Sequence, residues 1–241
     1  MSSLSFDYRN FYGSRGGRIV RRVIGAHIRD LWPECRALRV AGLGYAQPYL
    51  SLINEGCERS FALSTPDVEI HAWPEEGRNL SALCDEDKLP LETESIDRLL
   101  VVHGMERARQ PADYLFELWR VLKSNGRLLL IVPNRHGLWS HAEWSPFGHG
   151  HPYTVTQITG LMRQALFSIE RVERALYMPP MRSFPLLSMA YTFESFGKYC
   201  LPGMHGLLMI EAGKQVYSGV RAGAVSQREP ARRALASPAS S

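Results

Sequence analysis

The residues of this chain that could do chemistry stand at the ends of apolar runs, and His103 is the clearest of them. It follows the run 96–102, and an imidazole with a near-neutral pKa at such a position suits removal of a proton from a hydroxyl or an amine. A second candidate is the turn Gly44-Tyr45-Ala46-Gln47-Pro48, where glycine lets backbone approach a ligand that side chains would block. Asp85 and Glu86 follow a third apolar run, as carboxylates that either bind a ligand or only solvate a loop. The densest stretch is 134–153, with Asn134, Arg135, His136, Trp139, His141, Trp144, Phe147, His149, His151 and Tyr153. It reads as an aromatic-walled pocket for a small molecule. His149-x-His151 lacks a third ligand at a workable spacing, so no metal is expected.

These side chains need strands and helices to place them. Residues 96–134 parse as strand, helix, strand: an apolar run at 96–102, Pro111 at a first helical turn, and Leu115, Leu118, Trp119 and Leu122 at helical spacing. Lys123 and Gly126 are stop signals before a second buried run at 128–132. Such a unit is a right-handed crossover in a parallel sheet, and ligands bind outside the carboxyl ends of its strands. Further strands are expected at 38–43, 59–63, 80–84, 168–178 and 206–217. A helix over 18–32 carries Ile19, Val20, Val23, Ile24, Ile28 and Leu31 on one face and stops at Pro33. Ahead of it, Phe6, Tyr8, Phe11 and Tyr12 form an aromatic segment, and Thr154 begins a last helix by its capping type.

The chain of 241 residues, 45% apolar, can bury one large α/β core. Its formal charge of +4 divides into +4 on residues 1–22, +3 on 218–241 and −3 on the body, so no nucleic-acid partner is expected. Cys35, Cys57, Cys84 and Cys200 show no paired spacing, which fits a reduced, cytoplasmic setting. The polar N-terminus has no secretory pattern, and the apolar region 177–210 is broken by Arg182, Glu194 and Lys198, so no membrane span is expected. The expected organisation is an N-terminal aromatic segment and helix (1–36), an α/β domain (37–217) with an insertion at about 178–205, and a disordered tail (218–241).

Leu89-Pro90, Ser95-Ile96-Asp97, His103-x-x-Glu106, Pro111, Trp119-Arg120-Val121-Leu122-Lys123-x-x-Gly126-Arg127-Leu128 and Val132-Pro133-Asn134 together resemble the small-molecule class I S-adenosylmethionine-dependent methyltransferases, of the type 11 kind. The resemblance covers residues 39–134. It implies a Rossmann-like, mostly parallel seven-stranded sheet with helices on both faces and an antiparallel last strand, and S-adenosylmethionine as cofactor. The implied cofactor contacts are Gly42, Gly44, Ala46, Ser64, Asp85, Glu86, Leu89 and His103, with Asp85 reaching the adenine amino group and His103 beside the transferable methyl. The implied acceptor pocket takes Tyr12, Asn134, Trp139, His149, His151 and Tyr153, with the leading aromatic segment as a lid, where the residues alone read equally as an aromatic staple under the first helix.

The sequence departs from that family at both acidic anchors. Gly42 stands where the first strand ends on a carboxylate, and Ser64 stands where a carboxylate accepts the ribose hydroxyls. Two lost charge-assisted hydrogen bonds at about 1.5 to 3 kcal/mol each would weaken binding by a hundredfold or more unless Asp67 or Glu69 replaces them. A nicotinamide fingerprint fares worse, because G-x-G-x-x-G needs glycine where Gln47 stands. Two readings follow: methyl transfer to a small or medium-sized acceptor, or a methyltransferase fold that has lost its cofactor and serves as a binding or scaffold protein. The sequence does not fix the oligomeric state.

Overall fold

Strands buried on both faces require two sets of helices, and the apolar residues here sort into two cores by the period of two that strands impose. Val40, Leu100, Val102, Leu129, Ile131, Leu207 and Met209 point to one face, and Ala41, Leu43, Leu99, Val101, Leu128, Leu130 and Leu208 to the other. The computed structural model describes residues 6–68, 71–180, 194, 197, 203 and 205–214. The insertion expected at 178–205 and the tail expected at 218–241 lie largely or wholly outside them.

Seven strands form one sheet: β1 (Arg39–Gly44), β2 (Arg59–Ser64), β3 (Ser81–Leu83), β4 (Ile96–Val102), β5 (Leu122–Pro133), β6 (Phe167–Ala175) and β7 (Leu207–Lys214). Their order is β3-β2-β1-β4-β5-β7-β6, parallel from β3 to β5, with β7 antiparallel to both neighbours. The helices are α1 (Tyr8–Gly13), α2 (Arg15–Leu31), α3 (Gln47–Leu50), α4 (Pro111–Val121) and α5 (Val155–Gln164). Residues of α1, α2 and α3 pack in the first core, and those of α4 and α5 in the second. This is the Rossmann-like class I methyltransferase architecture that the motifs imply. Among the described residues, no helix is long and apolar enough to cross a membrane.

Local chemistry accounts for most boundaries. Ser14 ends α1 and caps α2, accepting from the Gly17 amide at 3.0 Å, and Val20, Val23, Ile24 and Ile28 form the buried stripe. Gly17 is required because a Cβ there would lie 2.8 Å from Tyr12 Cα, so α1 folds tightly back on α2. A reciprocal capping box joins Thr154 and Gln157 at the start of α5.

One expectation needs correction. The stop signals Lys123 and Gly126 do not separate helix from strand, because β5 already begins at Leu122, which pairs with Ile96 ahead of a register shift. The glycine turn leads into the single helical turn α3, with no side-chain hydrogen bond capping it at Ala46.

Candidate functional site

The carboxyl ends of β1, β2 and β4 make the rim where such a sheet holds its ligands. β1 leaves the sheet through Gly44 at φ +73°, a conformation that glycine adopts without strain, and a Cβ there would collide with the Val102 carbonyl. That carbonyl accepts from the Tyr45 amide at 2.8 Å, holding the turn against β4. The Tyr45 ring is 6% exposed and lies between two rings from α1: Tyr8 stacks on it at 4.9 Å and 19°, Tyr12 at 5.4 Å and 14°. Phe11 adds an edge contact to Tyr12, and Phe147 closes against both Phe11 and His103.

Within this aromatic packing runs a buried polar chain. His103, 1% exposed and at φ +55°, has Nε2 2.7 Å from the Tyr12 hydroxyl and Nδ1 3.0 Å from Glu106 Oε1. The Tyr49 hydroxyl donates in turn to the Tyr12 oxygen at 3.2 Å. A carboxylate only accepts, so the pattern is satisfied with the imidazole proton on Nδ1 and the Tyr12 hydroxyl donating to Nε2. Burial pushes the phenols of Tyr12 and Tyr49 well above the usual range, and the neighbouring Tyr49 adds to the rise at Tyr12. Burial also raises Tyr8, against the lowering effect of Arg107, whose guanidinium donates to its hydroxyl at 3.1 Å. A non-glycine residue at positive φ, backed by a carboxylate and facing a hydroxyl, is the arrangement of a base awaiting a substrate proton. Here the chain's own Tyr12 supplies that hydroxyl.

The residues assigned to the cofactor divide between a buried turn and an exposed loop. The space beside Gly42 is taken: a Cβ there would lie 2.7 Å from both Ala46 Cβ and Leu50 Cδ1. Ser64, 1% exposed, donates to the Gly44 carbonyl at 3.0 Å and accepts from Gln47 Nε2 at 3.4 Å, closing β2 onto the turn where a ribose would sit. Ala46 is fully buried. Leu89 is buried too, its amide bonded to Glu117 and its carbonyl to Arg120. Glu86 accepts from the Arg109 amide at 2.7 Å, and Asp85 is an exposed loop residue whose side chain makes no hydrogen bond among the described residues. As folded, the carboxyl ends of β1 and β2 are engaged by these contacts of the chain with itself.

The acceptor-pocket residues divide. Tyr12 joins His103, as above. Trp139 is core, 1% exposed, with its indole N–H donating to the Met178 carbonyl at 2.6 Å. Asn134 and Tyr153 pin the strand end, through the His205 carbonyl at 2.9 Å and the Met105 carbonyl at 3.3 Å. The His149 ring lies 2.6 Å from the Glu143 carbonyl, and no metal-holding group of side chains occurs among the described residues. His151 is exposed, its amide donating to the Glu106 carbonyl at 2.7 Å. It lines an open cavity of about 570 Å³ beside the filled cleft, together with Asp67, Glu106, Arg107, Arg109 and Gly150. Sequence reasoning named Tyr8 only within the aromatic segment and Glu106 only within the motif, and it missed Tyr49 and Arg107. The x-x spacing of His103 and Glu106 was the one signal that could have paired the last two elements of the polar chain.

Residues 40–130 match the family described as methyltransferase domain. No curated protein matches the chain. Among solved structures, it is similar to a chain from the complex between the Haloferax volcanii Trm112 methyltransferase activator and a methyltransferase, at 17% identity over 89% of this chain and 100% of that one, with a TM-score of 0.64. It is similar to an S-adenosylmethionine-dependent methyltransferase from Mesorhizobium loti at 15% identity, covering 78% and 96%, TM-score 0.57. It is also similar to the [4+2]-cyclase SpnF at 16% identity, covering 81% and 82%, TM-score 0.56.

Proposed function

We propose that this chain, with a methyltransferase-domain match over residues 40–130 and the class I methyltransferase fold, is a binding protein whose cofactor cleft has been rebuilt as aromatic core. One observation carries this reading: Tyr45, on the turn that would approach the cofactor, is stacked between Tyr8 and Tyr12 of α1. The absence of carboxylates at Gly42 and Ser64 points the same way, since both positions now pack against the chain itself. A fold does not fix a reaction, and the cyclase among the structural neighbours has the same architecture. The test is calorimetric titration with S-adenosylmethionine and S-adenosylhomocysteine. Silence into the millimolar range is expected, and saturable micromolar binding would overturn the proposal.

A second reading rests on a different observation, the His103 and Glu106 pair closed by a phenol. In that reading α1 is a lid, and its displacement opens the cleft for S-adenosylmethionine-dependent methylation of a small or medium-sized acceptor, with His103 taking the acceptor's proton. Bound there, the cofactor would supply an already activated methyl group, leaving the protein to align the acceptor and exclude water. Replacing Tyr8 and Tyr12 together by alanine separates the two. A gain of cofactor binding supports the lid, whereas silence in a folded double variant supports the rebuilt cleft.

A further inference from the structure

The open cavity of about 570 Å³ is bounded by the loop after β2, the loop after β4 and the segment at Gly150 and His151, so it shares the strand-end rim with the filled cleft. Some of its wall groups have no partner among the described residues. The Arg109 guanidinium and the His151 ring make no hydrogen bond or ion pair among the described residues. Glu106 is 1% exposed, and while its Oε1 holds His103, its Oε2 is buried with no hydrogen-bond partner. A buried carboxylate oxygen left unpaired is costly, and in native structures it calls for a partner. Two arginines and a histidine attract an oxyanion, but the two carboxylates among them, Asp67 and Glu106, repel any oxyanion that lacks a proton to donate.

We propose that this cavity binds an oxyanion carrying its own hydroxyl donor, hydrogen phosphate or a phosphate monoester in its monoanionic form, with Arg107, Arg109 and His151 on the anionic oxygens and Glu106 accepting from the hydroxyl. The site deepens the binding-protein reading and rests on it. It is also wired to α1. Tyr8 is held by Arg107 and Tyr12 by His103, which Glu106 holds in turn, so both tyrosine anchors of the helix end on neighbouring residues that line the cavity. An oxyanion that draws Arg107 to itself competes with the Tyr8 hydroxyl and loosens α1.

Phosphate and sulfate are near-isosteric, and at neutral pH only phosphate keeps a hydroxyl. Calorimetric titration of the full chain with inorganic phosphate, sulfate and glycerol phosphate therefore tests the site directly. Saturable phosphate binding is expected, with sulfate weaker by about tenfold or more, as the loss of a charged hydrogen bond dictates. Titrated at about pH 5, where a phosphate monoester keeps its second proton, glycerol phosphate binding more tightly than phosphate would identify an ester as the ligand. Arg109→Ala, which removes no hydrogen bond or ion pair among the described residues, should weaken phosphate by a similar factor, and Glu106→Gln should erase the preference over sulfate. Failure of phosphate to saturate, equal binding of sulfate, or undiminished binding by Arg109→Ala would overturn the site. Phosphate should also speed tryptic cleavage after the exposed Arg9 in α1, and binding without that acceleration would overturn the link to the helix. The cofactor titration reads the cleft and the phosphate titration reads the cavity, so either proposal can fail alone.

Discussion

The aromatic cleft over β1 and the open cavity beside it are separated by one short stretch of chain, with His103 packed in the first and Arg107 lining the second. In the cleft every phenol hydroxyl of the polar chain finds a partner inside the protein, and the rings stack. In the cavity the Arg109 guanidinium, the His151 ring and Glu106 Oε2 have no hydrogen-bond partner among the described residues. Paired, buried groups stabilise a fold, whereas unpaired groups at a rim keep the capacity to recognise something else. Changes in the cleft should therefore be read in stability, and changes in the cavity in binding.

The largest effect should come from giving the cleft back its lost acid. Gly42→Asp places a side chain where Ala46 and Leu50 already stand and buries a carboxylate without a donor. A cost on the order of 4 kcal/mol is expected from overpacking and an unpaired charge, measured by denaturant unfolding. If the variant is as stable as the parent and binds S-adenosylmethionine, the cleft was never core.

Tyr12→Ala comes next, with an expected loss of about 3 to 5 kcal/mol for a large buried ring. Tyr12→Phe keeps the stack and removes only the hydroxyl, leaving His103 Nε2 and the Tyr49 hydroxyl without it, for about 1 to 3 kcal/mol. Equal stability of the phenylalanine variant and the parent would show that the polar chain contributes nothing and that stacking alone fills the cleft.

Much of this contrast was legible before any coordinates. The crossover at 96–134 announced itself because Pro111, the helical spacing of Leu115 and Leu118, and the apolar runs on either side all follow from local chemistry. The replaced acids at Gly42 and Ser64 were equally visible. The stack was not, because Tyr8 and Tyr45 are 37 positions apart and nothing local says that α1 folds back along α2. Trp139 misled for a related reason: an indole in a loop looks the same whether it walls a pocket or, as here, fills the core above Met178.

Alkaline pH should sharpen the contrast by a smaller, graded effect. Tyr8, Tyr12 and Tyr49 have folded pKa values raised mainly by burial above an unfolded value of about 10. Stability from keeping them neutral is complete below that pH and is lost as pH rises from there toward the folded values. Each such phenol should steepen the decline by about 1.4 kcal/mol per pH unit, so Tyr49→Phe should flatten the curve by one proton. An unchanged slope would mean that Tyr49 ionises in place.

The smallest expected effect lies on the open side, where its absence is the informative result. Asp85 and Arg109 are both exposed, and neither side chain has a hydrogen-bond partner among the described residues, although the Arg109 amide is held by Glu86. Side chains of that kind add little to folding, so Asp85→Ala and Arg109→Ala should both melt with the parent. Only the second should lose phosphate affinity, because only Arg109 lines the cavity. A lowered melting temperature for Arg109→Ala would make its guanidinium part of the fold rather than of a site, and the division between a stabilising cleft and a recognising cavity would fall with it.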